Sequence, residues 1–266
     1  MDNKVILLII QALSYEIATS KMNYMNELVD KGEARFYELD IEKASLLKPL
    51  YEDVFEGTDL FVNAMINNQV IRRQSAKNIF QITRDNGLKT GAAAYYWFGE
   101  AYNEEKLKWQ EHKEKIDEAS NIQYATYYGN YSYRDSDVFT DSEYIRKKYN
   151  PNLLLVHSMG IEHVSLKYGE DTQEFREKVF ELDNILELMI PIWIEGGYQV
   201  IVTTEKRISS SNSIKDNDKV VPVWTVGKKI NKDNYESSIK NTGISATIYE
   251  VLGIKKPERF INSNIF

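Results

Sequence analysis

The sequence predicts an α/β fold, a three-layer α/β/α sandwich around a mostly parallel central sheet. Three observations carry that expectation. Short apolar runs alternate with longer stretches of helical period. The first run, residues 5–10 (VILLII), is apolar at every position, as a strand buried on both faces must be. Glycines stand just past the helical stretches, at Gly32, Gly57, Gly87, Gly196-Gly197 and Gly253, where a helix needs a stop.

The elements follow in order. Residues 20–31 have helical spacing, with Met22, Met25, Leu28 and Val29 on one face. Residues 34–39 alternate and predict a second strand. Residues 43–55 are helical, with Pro49 near the start. Residues 75–86 form a helix with Ile79, Phe80 and Ile82 inward. Residues 90–97 (TGAAAYYW) make a small-residue strand that packs tightly on a neighbour. Residues 103–120 are dense in Glu and Lys and predict an exposed helix with i,i+4 ion pairs. The aromatic segment 124–133 (YATYYGNYSY) reads as an exposed loop or cover.

Residues 141–148 predict a helix, and 153–157 (LLLVH) a strong strand. The longest helix spans 172–195, with Phe175, Val179, Leu182, Ile185, Leu186 and Met189 on one stripe. A strand at 199–203, a polar loop at 208–219, a strand at 220–226 and a last helix at 245–252 complete the chain. Pro222 points to an edge or bulge in the strand that holds it. No linker, composition shift or repeat divides the sequence, so one domain over 1–266 is expected.

Composition narrows the function. The formal net charge is −7, which gives no general attraction for nucleic acid or anionic lipid. Only one paired-Arg segment occurs, Arg72-Arg73. The absence of cysteine excludes disulfides, thiolate nucleophiles and Cys-ligated zinc. The apolar run at 5–10 is too short for a signal-peptide core or a membrane span. The chain therefore reads as cytoplasmic. It has 18 tyrosines, an aromatic excess that fits a self-association surface and a homo-oligomer.

In parallel sheets, sites form beyond the carboxyl ends of the strands. That rule singles out Gln11, then Glu162 and His163, then Glu205 and Lys206. One imidazole and two carboxylates, from His163, Glu162 and Glu205, suit a zinc or manganese ion. The competing interpretation makes all three surface loop residues. His157 ends an apolar strand and reads as a hydrogen-bonded core histidine. There is no Gly-x-Ser-x-Gly elbow, no Walker-type loop and no Gly-x-Gly-x-x-Gly after a strand.

The order of segments resembles the phosphodiesterase and nucleotide pyrophosphatase branch of the alkaline phosphatase superfamily. Residues 5–13 (VILLIIQAL) resemble its first strand and turn. Residues 45–57 (SLLKPLYEDVFEG) are similar to the segment that carries its nucleophile, and 86–97 (NGLKTGAAAYYW) to its Gly-Leu-Arg-Thr strand. Residues 151–169 (PNLLLVHSMGIEHVSLKYG) look like the run through its Asp-x-x-Gly-His metal motif. Residues 197–205 (GYQVIVTTE) resemble the approach to its Asp-His-Gly motif, while 221–227 and 242–257 are similar to its closing strand and helix.

The resemblance implies two divalent metals held by several Asp and His, and a Ser or Thr nucleophile. This chain departs from that pattern at each position. Gln11 stands where a metal-binding Asp is expected, and Leu47 where the nucleophile is expected, with Ser45 nearby. Glu162 is the one carboxylate in the fourth-strand motif, and Leu166 replaces its His. Glu205-Lys206 replaces the later Asp-His pair, and 209–219 contains no His. Three histidines in the whole chain, His112, His157 and His163, cannot supply the missing imidazoles.

Lys206 opposes a nearby dication by like-charge repulsion, yet with Arg207 it could hold an anion without metal. The expected protein is thus a pseudoenzyme without cofactor or catalytic residues. It would bind a small phosphorylated ligand or a protein partner through Gln11, Ser45, Glu162, His163, Glu205 and Lys206. Two alternatives stand beside it. One is a hydrolase of phosphate mono- or diesters with one zinc or manganese ion on Glu162, His163 and Glu205. The other is an unrelated α/β binding protein.

Overall fold

The computed structural model describes residues 3–40, 55, 77–103, 114–205, 220–229 and 238–257. The strands are β1 (Val5–Gln11), β2 (Ala34–Asp40), β3 (Thr90–Tyr95), β4 (Glu114–Ile116), β5 (Tyr124–Tyr128), β6 (Leu153–Ser158), β7 (Gln199–Glu205), β8 (Val220–Val226) and β9 (Ser238–Lys240). The helices are α1 (Tyr15–Lys21), α2 (Asn23–Asp30), α3 (Ile79–Asp85), α4 (Trp97–Asn103), α5 (Asp135–Tyr149), α6 (Gly160–Tyr168), α7 (Gln173–Glu195) and α8 (Asn241–Leu252).

Among the described residues all nine strands join one sheet, in the order β4-β5-β3-β6-β1-β7-β8-β2-β9. β4 pairs antiparallel with β5, and β8 antiparallel with both β7 and β2. The other pairings are parallel. β1 lies at the centre, in register from Val5↔Leu153 to Ile10↔Ser158 on one side and from Val5↔Gln199 to Gln11↔Glu205 on the other.

A strand's side chains alternate between faces, so β1 feeds two cores. Val5, Leu7 and Ile9 enter one, with Phe80 of α3, Phe98 and Tyr102 of α4, and Ile244 and Ile248 of α8. Ile6, Leu8 and Ile10 enter the other, with Met25 of α2, Phe139 of α5, Ile161 of α6, and Val179, Leu186 and Trp193 of α7. Two helical layers on one sheet give the three-layer architecture that the alternating sequence predicts. Each such aliphatic side chain contributes roughly 1.5–3 kcal/mol by leaving water. β3 is small for a packing reason. A Cβ on Gly91 would stand 3.0 Å from Ile145 of α5 and 3.1 Å from Pro151.

Several expectations need correction. The Tyr-rich stretch is an exposed loop only in its second half, 129–133: Tyr124–Tyr128 is buried on every residue as β5. Residues 114–116 are strand, not exposed helix, because pairing with β5 overrides their helical charge pattern. Tyr144 and Tyr149 of α5 also donate hydrogen bonds to Glu114. The strand with Pro222 is interior, between β7 and β2. Its ladder to β7 ends at Val223, beside the proline that has no N–H to donate, and the Thr203 hydroxyl bonds the Pro222 carbonyl instead. The helix expected at 20–31 is two helices. α2 takes its N-terminal capping from α7, where the Asp183 carboxylate accepts from Tyr24 N at 2.7 Å. Trp97 opens α4 and does not end β3. The helix at 43–55 lies outside the described residues except Phe55, residues 104–113 of the helix expected at 103–120 lie outside them too, and the loop at 208–219 lies outside them entirely.

Candidate functional site at the carboxyl ends of the strands

β1, β3, β5, β6 and β7 run parallel, so their carboxyl ends share one edge of the sheet. Gln11 ends β1 and is 4% exposed. His157, next to the end of β6, is 3% exposed and reaches toward it, with Nε2 3.3 Å from Gln11 Oε1. From β5, the Tyr128 hydroxyl donates to the His157 carbonyl oxygen at 2.7 Å and lies 3.2 Å from His157 Nδ1. Phe98 of α4 packs on the imidazole, ring centres 4.8 Å apart.

Burial sets the charge of this group. His157 has its pKa pushed down to about 3 by desolvation, so its imidazole is neutral at neutral pH. Tyr128 is held well above the ordinary phenol range by burial first, then by the charges of Asp135 and Glu162. Gln11 Oε1 faces Nε2 as an acceptor for an Nε2–H, and in that tautomer Nδ1 accepts from the Tyr128 hydroxyl, which also donates to the His157 carbonyl.

A second cluster fixes the turn after β6. Asp135, the first residue of α5, is fully buried. Its Oδ1 accepts from Ser158 Oγ at 2.5 Å and from Gly160 N at 3.2 Å. The N-cap of α6, Met159, has no side-chain cap, so Asp135 caps that helix from another element. Its Oδ2 has the Lys178 ammonium of α7 at 2.8 Å, an ion pair in place of a directed hydrogen bond. Burial alone would lower the Lys178 pKa, but Asp135 and Glu181 outweigh it and hold it above the ordinary lysine value. Gly160 is required here: a Cβ would stand 2.1 Å from Asp135 Oδ2 and 2.5 Å from Lys178 Cε.

A third set of bonds shapes the turn after β1. Thr204 Oγ1 of β7 donates to the Ile10 carbonyl at 2.7 Å and accepts from Leu13 N at 3.0 Å. Between them Ala12 adopts a left-handed φ of 65°.

The residues expected from sequence are distributed as follows. Gln11 lies buried at the end of β1, beside His157. Glu205 ends β7 with its backbone in register with Gln11. Glu162 and His163 are on α6 and not in a loop, which corrects that interpretation. Glu162 is buried in the first turn. His163, about 100° further round the helix, opens onto a cavity of about 320 Å³ with Tyr131, Tyr133, Glu174, Glu177 and Glu181. Leu166, where the resemblance expects a metal histidine, is 48% exposed. Ser45 and Lys206 lie outside the described residues. Among the described residues no three His, Asp or Glu side chains converge as metal ligands. Tyr128, Asp135 and Lys178 were not foreseen. Asp135 and Lys178 are 43 positions apart in sequence, and no period links them.

No known family model matches the sequence, and no curated protein does. Solved structures do. Human ectonucleotide pyrophosphatase/phosphodiesterase 5 superposes with a TM-score of 0.67 at 12% identity, over 96% of each chain. The chain has the alkaline phosphatase-like fold. The lipoteichoic acid synthase LtaP from Listeria monocytogenes matches at 0.62 and 12% identity, over 98% of this chain and 76% of that one. Alkaline phosphatase from the Antarctic bacterium TAB5 matches at 0.59 and 11%, over 96% and 99%. The alkaline phosphatase-like chain described here therefore shares the scaffold of phosphodiesterases and phosphatases. Among its described residues no helix is long and apolar enough to cross a membrane.

Proposed function

We propose that this chain is a binding protein built on a hydrolase scaffold. It takes a phosphate ester or a partner protein at the carboxyl ends of the strands, without two-metal hydrolysis. One observation carries the reading. Where strand-end carboxylates would face a metal ion, Gln11, His157 and Tyr128 form a buried group of uncharged side chains that satisfy one another. A dication in so dry a place needs anionic ligands to offset its desolvation.

The one-metal alternative needs Glu162 and His163 to converge, and one is buried while the other opens onto the outer cavity. A phosphoryl ligand fits the cations Lys206 and Arg207 that follow β7 in sequence. An inactive variant of murine ectonucleotide pyrophosphatase/phosphodiesterase 5, a structural neighbour at 11% identity and a TM-score of 0.60, is described in complex with AMP.

The test uses p-nitrophenyl phosphate and bis(p-nitrophenyl) phosphate with the full chain, with and without zinc and manganese. The expected result is saturable stabilisation against heat with no release of nitrophenolate. Release that scales with protein concentration and is lost in Glu162→Ala would establish the hydrolase instead.

A further inference from the structure

α7 has a solvent face of unusual chemistry. Phe180 is 57% exposed, Leu188 69% and Ile192 42%. With Asn184 they form one ridge at i, i+4, i+8 and i+12, about 18 Å long. A single exposed leucine would mean nothing, but three large apolar groups on one ridge make a patch. Around the ridge stand Glu174, Glu177, Glu181, Glu187 and Glu195, all exposed.

Lysines at i,i+4 from these acids would stabilise a solvated helix face, and like charges at that spacing destabilise it. α7 has two cations. Lys178 is drawn down to Asp135 and Glu181. Arg176 turns back to the Asp171 carbonyl. The face is therefore apolar along its middle and acidic around it.

We propose that this face docks a basic amphipathic helix of a partner protein. Charge complementarity selects that occupant. In an antiparallel pairing of two copies with Phe180 opposite Ile192, Glu177 would meet Glu195 across the axis, which repels. An anionic membrane would be repelled by the same glutamates. At the amino end of the ridge, Glu174, Glu177 and Glu181 line the cavity of about 320 Å³ together with Tyr131, Tyr133, Arg134, His163 and Lys178, so the cavity is mixed in charge and the glutamates flanking the ridge select the basic partner. This inference rests on the exposed ridge and its flanking glutamates, not on Gln11, His157 and Tyr128, and stands apart from the function proposed above.

The test is fluorescence anisotropy with two labelled helical peptides. Both have the same leucine stripe, and the flanks are lysine in one and glutamate in the other. The full chain should bind the lysine peptide at least about tenfold more tightly, and added salt should weaken that binding. Phe180→Gln with Leu188→Gln should cost about tenfold, with the fold checked by circular dichroism. These substitutions leave the charge unchanged, so a merely diffuse attraction would survive them. Equal binding by the double variant, or no preference between the peptides, overturns the proposal. So does a dimer in sedimentation that Leu188→Gln dissolves, since the face would then belong to a second copy.

Discussion

Tyr128 and His157 are joined twice. The phenol donates to the histidine's own carbonyl oxygen at 2.7 Å and lies 3.2 Å from its Nδ1. One hydroxyl thus fixes both the backbone at the end of β6 and the tautomer of the buried imidazole. Tyr128→Phe removes the hydroxyl that meets both the carbonyl and the ring of buried His157. It should destabilise the fold by about 1–3 kcal/mol in urea titration, with the m-value unchanged.

His157 makes stability fall in acid. Its pKa is about 3 in the fold against an ordinary 6.5, so the unfolded chain takes up the proton first as the pH drops. The stabilisation from keeping this imidazole neutral is complete above pH 6.5 and is lost as pH falls from 6.5 toward 3. The slope approaches about 1.4 kcal/mol per pH unit within that window. Urea midpoints at about pH 7.5 and about pH 5 should differ in the wild type, and differ less in His157→Gln.

The Asp135–Lys178 pair predicts an asymmetry between single and double variants. Lys178→Met leaves the buried Asp135 carboxylate without its counter-ion and should cost about 3–5 kcal/mol. Adding Asp135→Asn removes the charge and should recover much of that loss. If the double variant is as unstable as the sum of the two singles, the ion pair is not what holds the turn.

Gly160→Ala tests the same turn by shape. Its Cβ would overlap the Asp135 carboxylate and the Lys178 stem, so one of them must move. A loss of about 2–3 kcal/mol is expected. Gly87→Ala instead strains a left-handed φ of 74°, but it meets no neighbouring atom and should cost less.

Much of the fold was legible in the sequence because burial on both faces leaves a plain mark. β1, β6 and β7 read as apolar runs, and the stripe of α7 as a long helix. β5 was not legible. Its tyrosines read as surface groups, yet Ala125 and Tyr127 enter one core while Tyr124 and Tyr128 enter the other. β4 escaped because three polar-flanked residues become strand only through their partner. The rule of strand ends singled out Gln11, which lies buried at the end of β1. Tyr128 and Asp135 come from distant elements, and only the sheet order brings them to His157 and Ser158.

The central claim is that the strand-end group is uncharged and holds no catalytic metal pair. Elemental mass spectrometry of the full chain, incubated with zinc and manganese and freed of loose ions, tests it most directly. The account predicts less than about 0.1 equivalent of either metal. Close to one or two equivalents, lost together with phosphodiester hydrolysis in Glu162→Ala, would contradict it.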